Sequence, residues 1–196
     1  MNVPNRLTTI RIFMIPLFMI VVLVPWSWGS ANVAGTVIPW TQIIGALIFA
    51  LASITDFIDG KIARGQHLVT NFGKFADPLA DKMLVMTAFI ILVEMGKAPA
   101  WVIAIIVCRE LAVTGLRLLL AESNEHVVLA AAMPGKIKTT TQMFAIIFLF
   151  LNNVFFNNLH FPLALILLYI CLFFTIYSGV DYFVHSRHVF ADSFKK

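Results

Sequence analysis

Apolar residues in this chain concentrate in long windows, and most polar residues collect between them. Six windows of about twenty residues, the length a helix needs to cross a hydrocarbon core, cover 10–28, 37–58, 75–93, 101–120, 137–156 and 161–183. None shows the two-residue alternation of a half-buried strand. Backbone polar groups in lipid must be satisfied within a helix or a closed barrel. The pattern therefore predicts an all-α polytopic membrane protein with six transmembrane helices. No linker, repeat or low-complexity tract breaks it, so residues 1–196 read as a single domain.

Composition strengthens this reading. The chain is 60% hydrophobic and 12% charged, with a mean hydropathy of +0.91, whereas a soluble domain is about half apolar and about a quarter charged. Charge adds an orientation. Arg6, Arg11, Lys61, Arg64, Lys74, Lys82, Arg117, Lys136, Lys138, Arg187, Lys195 and Lys196 fall at alternate connections and at both ends, whereas Lys97 is alone on the other side. By the positive-inside rule both termini are expected in the cytoplasm. The +4 net charge then reflects this asymmetry and attraction to anionic headgroups, and calls for no nucleic acid. The basic, apolar N-terminus imitates a signal peptide but is expected to be retained. Cys108 and Cys171 lie inside predicted spans and form no disulfide framework.

The exception to the apolar pattern is 56–81, DFIDGKIARGQHLVTNFGKFADPLAD. It carries Asp56, Asp59, Asp77 and Asp81, four of the ten acidic residues. Residues three or four apart share a helix face. Asp56, Asp59, Gly60 and Ala63 thus form one stripe at the end of the second span, and Gly73, Asp77 and Asp81 another at the start of the third. Four carboxylates brought together repel unless a cation joins them, and oxygen-only ligands suit Mg²⁺ or Mn²⁺. The alternative is that they cap helix ends or lie in the interfacial zone. Intramembrane carboxylates are costly and mark function by default, and the small residues on the same stripes favour close approach of a ligand or partner helix.

The pattern Asp56-x2-Asp59-Gly60-x2-Ala63-Arg64-x8-Gly73-x3-Asp77-x3-Asp81 resembles, without departure, the signature of the CDP-alcohol phosphotransferases. That resemblance implies a six-helix homodimer with a polar cavity open to the cytoplasm. It also implies metal-assisted direct displacement at a CDP-linked donor. Asp56, Asp59, Asp77 and Asp81 would hold two divalent ions, and Asp81 would also be the base on the acceptor hydroxyl. Gly60, Ala63, Arg64 and Gly73 would line the CDP site, with Thr70 in the following loop. The stretches VPNRLTTIRI, CRELAVTGLR and GKIKTTTQM further resemble the phosphatidylglycerophosphate synthase branch, which joins CDP-diacylglycerol to glycerol 3-phosphate. Asn5, Thr8 and Arg11 would then sit on an interfacial amphipathic start that helps cover the nucleotide.

The acceptor site must come from the rest of the chain. Arg109, Arg117, Lys136 and Lys138 are the candidates for binding an acceptor phosphate. Lys136 and Lys138 also fit simple positive-inside flanking. A mid-span Arg109 needs a partner; Glu110 projects about 100° away on a helix, which points to a partner on another helix. Phosphatidylglycerol, inositol phosphate and serine are alternative acceptors, and a cation transporter is the rival from another class. Asp181, His185 and His188 share roughly one helix face and read as a solvated helix end. Tyr177, Tyr182, Trp26, Trp28 and Trp40 read as interfacial aromatics. A bacterial plasma membrane is the expected location, with the active site facing the cytoplasm.

Overall fold

The structure, a computed structural model, describes residues 3–66, 71–122, 133–156, 159 and 161–185. Helices α1 (Val3–Leu23), α2 (Trp40–Gln66), α3 (Asn71–Glu94), α4 (Ala100–Glu122), α5 (Met133–Phe150) and α6 (Leu163–His185) account for most of it. The all-α expectation is met, with one addition. Strands β1 (Ser30–Val33) and β2 (Thr36–Pro39) form an antiparallel hairpin, with Val33 opposite Thr36. Ala34 and Gly35 both have positive φ, 50° and 79°, the turn geometry whose twist matches that of paired strands.

Helix ends do not follow the apolar windows: α1 and α5 stop at Leu23 and Phe150, short of the expected 28 and 156, whereas α2 and α3 extend into polar sequence, because the backbone ladder needs no apolar side chains to continue. α2 runs eight residues past the predicted end at 58 and α3 opens at Asn71, so both parts of the aspartate signature lie on helix. α1 opens at Val3 and runs unbroken to Leu23, with Arg11 buried within it.

Two helices end in the same way. Gly96 and Lys97 donate to the carbonyls of Val93 and Leu92, and Asn152 and Asn153 donate to those of Leu149 and Phe148. This is the Schellman arrangement, with a left-handed Gly96 (φ 68°) closing α3 and a left-handed Asn152 (φ 52°) closing α5. Asn153 then reaches forward: its Nδ2 donates to the Phe161 carbonyl, and its Oδ1 accepts from the Ala164 N–H in the first turn of α6.

Lys97, just beyond α3, donates to Gln42 Oε1 (2.7 Å) near the start of α2 and to the Phe150 carbonyl (3.2 Å) at the end of α5. The end of α3, the start of α2 and the end of α5 therefore lie together, and the helices alternate in direction. The opposite end of the bundle carries the end of α2 and the starts of α3 and α5. α5 packs most extensively on α6, and α1 on α2 and α3. The core runs through Phe18, Phe49, Phe89, Ile106, Ile146 and Leu168, with Phe18 and Phe150 edge to face at 5.6 Å. Outward faces are apolar too: Phe13, Leu51, Ile90, Trp101, Phe173 and Val180 are all exposed. α6 is long and apolar enough to cross a membrane on composition alone.

Candidate active site

The aspartates follow the helices just described. Asp56, Asp59, Gly60, Ala63 and Arg64 occupy the last three turns of α2, and Gly73, Asp77 and Asp81 the first half of α3. Four residues separate the two helices, which run antiparallel. Asn5 and Thr8 lie in the first turns of α1, and Arg117 in the last turns of α4. The side chains of all these residues, and Thr70 and His188 entirely, lie outside the described residues.

Along α3, positions 77, 81, 85 and 89 follow at four-residue steps, which is one helix face. Val85 and Phe89 line a cavity between α3, α4 and α5, with Lys82, Ile106, Glu110, Lys138 and Gln142 among its other walls. Its empty space, including the open mouth, is about 450 Å³. The cavity thus continues the register on which Asp77 and Asp81 stand.

Glu110, near the middle of α4, organises the polar wall. Its Oε1 accepts from Lys138 Nζ (2.6 Å) and from Arg109 Nη1 (2.9 Å), and its Oε2 lies 3.9 Å from Lys82 Nζ. Lys82 also donates to the Glu110 backbone carbonyl at 3.2 Å, which Thr114 Oγ1 shares at 2.6 Å. Sharing that carbonyl with side chains draws cations to the middle of a helix without breaking its ladder. Lys138 is 5% exposed, so its ammonium depends on Glu110 for compensation.

Arg109 has partners on both sides. The expectation of a partner on another helix is met by Ser178 on α6, whose Oγ accepts from Nη2 at 2.8 Å. Glu110 is a partner as well, because a long guanidinium reaches around the angle between adjacent helical positions. The guanidinium carbon also stands 5.8 Å over the Tyr182 ring. Tyr182 is therefore a buried packing partner of Arg109 rather than an interfacial aromatic, whereas Tyr177 is exposed. Gly179 makes room for this crossing, since a Cβ there would stand 3.1 Å from Arg109 Cγ.

The basic candidates separate. Lys138 lines the cavity, while Lys136 is exposed and absent from its walls. Two positions apart on a helix, they face different ways. Lys82, Glu110, Gln142, Ser178 and Tyr182 were not singled out as site residues from sequence. A lysine directly after Asp81 is the signal available for Lys82; Glu110, Ser178 and Tyr182 depend on contacts 28 to 73 residues apart. Among the described residues, His185 bonds within its own helix, to the Asp181 carbonyl and carboxylate, a helix-end arrangement. Cys108 and Cys171 are free thiols.

Known proteins similar to this chain give the site its context. The family model for CDP-alcohol phosphatidyltransferase matches residues 1–177. A CDP-diacylglycerol–glycerol-3-phosphate 3-phosphatidyltransferase of Bacillus subtilis is 51% identical over 182 residues, 93% of each chain. One of the same name from Rickettsia bellii is 39% identical, covering 96% of this chain and 97% of its own. A probable phosphatidylglycerophosphate synthase of Mycobacterium tuberculosis is 37% identical over 92% of this chain and 79% of its own. The aspartate-bearing helices and the full-length likeness agree: this chain belongs to the CDP-alcohol phosphatidyltransferase family.

Proposed function

We propose that the chain transfers a phosphatidyl group from CDP-diacylglycerol to glycerol 3-phosphate, giving phosphatidylglycerophosphate and CMP. The names of its relatives support the donor and the acceptor. The observation that carries the reading is a cavity with two lysines in its wall, in register with Asp77 and Asp81. A phosphorylated acceptor needs both features together: cations for its phosphate and a carboxylate for the proton it loses.

The donor set fits a divalent metal, because it is four carboxylates on two adjacent antiparallel helices with no nitrogen or sulfur among them. Asp56, Asp59, Asp77 and Asp81 would hold a pair of Mg²⁺ or Mn²⁺ ions, which when bound supply neutralising charge for the phosphates and the departing CMP. Asp81 accepts the proton of the attacking hydroxyl. The acceptor oxygen forms its bond to the lipid phosphorus as the bond to CMP breaks. Gly60, Ala63, Arg64, Thr70, Gly73, Asn5 and Thr8 receive the CDP group. Lys138 and Lys82 take the acceptor phosphate from the cavity wall and Arg117 from the cytoplasmic turns of α4. Arg109, held by Glu110 and Ser178, fixes that wall, and Lys136 contributes long-range attraction from outside it.

The six helices span the bilayer with both termini in the cytoplasm and form a homodimer in a bacterial plasma membrane. Exposed apolar outer faces support the span. Arg64, Lys74 and Lys136 at one end against Lys97 at the other support the orientation.

The test is CMP release by purified protein given CDP-diacylglycerol and Mg²⁺ or Mn²⁺. Glycerol 3-phosphate, inositol phosphate, serine and phosphatidylglycerol are supplied as separate acceptors. Metal-dependent release with glycerol 3-phosphate alone is expected, and release with a different acceptor instead would overturn the substrate. Asp81→Asn should lower turnover at least about a hundredfold in a folded protein. Unchanged turnover would remove Asp81 as the base.

A further inference from the structure

Gln142 is 4% exposed, lies in the wall of the cavity between α3, α4 and α5, and its Oε1 has no hydrogen-bond partner among the described residues. An unsatisfied buried amide is costly. Here it stands one helical turn from Lys138, whose own ammonium is held by Glu110. Around it the lining is Met86, Phe89, Ile106, Val107, Thr139 and Met143; of these only Thr139 carries a strong hydrogen-bonding group, and its hydroxyl donates to the Gly135 carbonyl at 3.0 Å. A side-chain amide carries one acceptor and two donors, and a half-turn about its last bond exchanges them. What it fits is a neutral hydroxyl, which can both give and receive.

We propose that Gln142 is a specificity-determining residue that binds the acceptor hydroxyl which does not react. The proposal rests on the reading that this cavity takes the acceptor. Glycerol 3-phosphate brings a phosphate, one hydroxyl that attacks and one that does not. The lysines answer the phosphate and Asp81 the attacking hydroxyl; the amide answers the third group. A site built to bond a hydroxyl discriminates against an analogue lacking it, because the protein group is then left buried and unpaired.

The experiment compares kcat/KM for glycerol 3-phosphate and for 3-hydroxypropyl phosphate, which keeps the phosphate and one primary hydroxyl but lacks the other. The wild type should prefer glycerol 3-phosphate by about tenfold or more, the value of one buried hydrogen bond. Gln142→Met, close in volume and apolar, should erase that preference by lowering kcat/KM for glycerol 3-phosphate alone. A wild-type preference below about twofold overturns the proposal without any variant. Equal loss on both acceptors, or loss on neither, overturns it as well. Lys138→Met separates the two claims, and should raise KM for both acceptors. If it changes neither, the cavity is not the acceptor site and the underlying reading falls. If it raises both while Gln142→Met leaves the preference intact, only the role of Gln142 falls.

Discussion

Glu110 is the residue on which the polar interior turns. One carboxylate serves Arg109, Lys138 and Lys82, which come from two other helices and from its own. Removing its charge leaves three cations facing one another in a poorly solvated wall. Glu110→Gln should therefore lower stability by about 3 kcal/mol, the scale for breaking a buried ion pair. A bound anion should partly replace the lost carboxylate. Added glycerol 3-phosphate should raise the melting temperature of Glu110→Gln more than that of the wild type, as followed by thermal denaturation in detergent. Equal shifts would mean that the ligand does not meet these cations. At this scale the helical placement of Asp56/Asp59 and Asp77/Asp81 was legible from their three- and four-residue spacing. It was not legible where a contact depends on which helices are neighbours. Nothing local announces that Arg109 meets Ser178, 69 positions away, or that Lys138 rather than Lys136 turns inward.

Among the elements, existence was readable and extent was not. Hydropathy reports where lipid ends, while helices stop where their carbonyls find other partners, as at Gly96 and Asn152. The short hairpin at 30–39 escaped because a four-residue strand is lost in a search for twenty-residue windows. How closely the elements meet depends on small residues. A Cβ at Gly45 of α2 would lie 2.5 Å from Val22 Cγ2 and 3.5 Å from Phe18 Cε2 on α1. Val22 is β-branched and stiff, so α1 must shift. Gly45→Ala should cost about 1–3 kcal/mol, seen as a lowered midpoint in thermal denaturation. A midpoint at or above the wild type would show that the α1–α2 contact yields without strain.

Across the whole molecule, the alternating helices give two ends of opposite character. One carries the aspartate signature; the other is drawn together by Lys97, which bridges the start of α2 and the end of α5 from the α3–α4 turn. Burial pushes the Lys97 ammonium down from 10.5 to about 8, since its two partners are neutral oxygens. Below about pH 8 the group is charged in both folded and unfolded chains, and the folded state bears the full cost of desolvation. Between about 8 and 10.5 the unfolded chain binds more protons, so stability should rise with pH. Wild type minus Lys97→Met, compared by denaturation across pH 7 to 10.5, isolates that slope; a flat difference would remove it.

The pairing of Arg109 with Glu110 also bears on how such a chain is made. In the proposed six-span arrangement, a growing polypeptide would deliver α4 to the bilayer before α5 or α6 exists. An arginine or a glutamate alone at mid-helix would resist partition into lipid by a few kcal/mol. Side by side and joined at 2.9 Å, they enter as a neutral dipole that needs no later helix to be tolerated. Lys138 then arrives to a carboxylate already in place, and Ser178 to a guanidinium already turned toward it. In that arrangement the bond between two neighbouring residues would serve as a provisional lining for the cavity, to be finished by the helices synthesised afterwards.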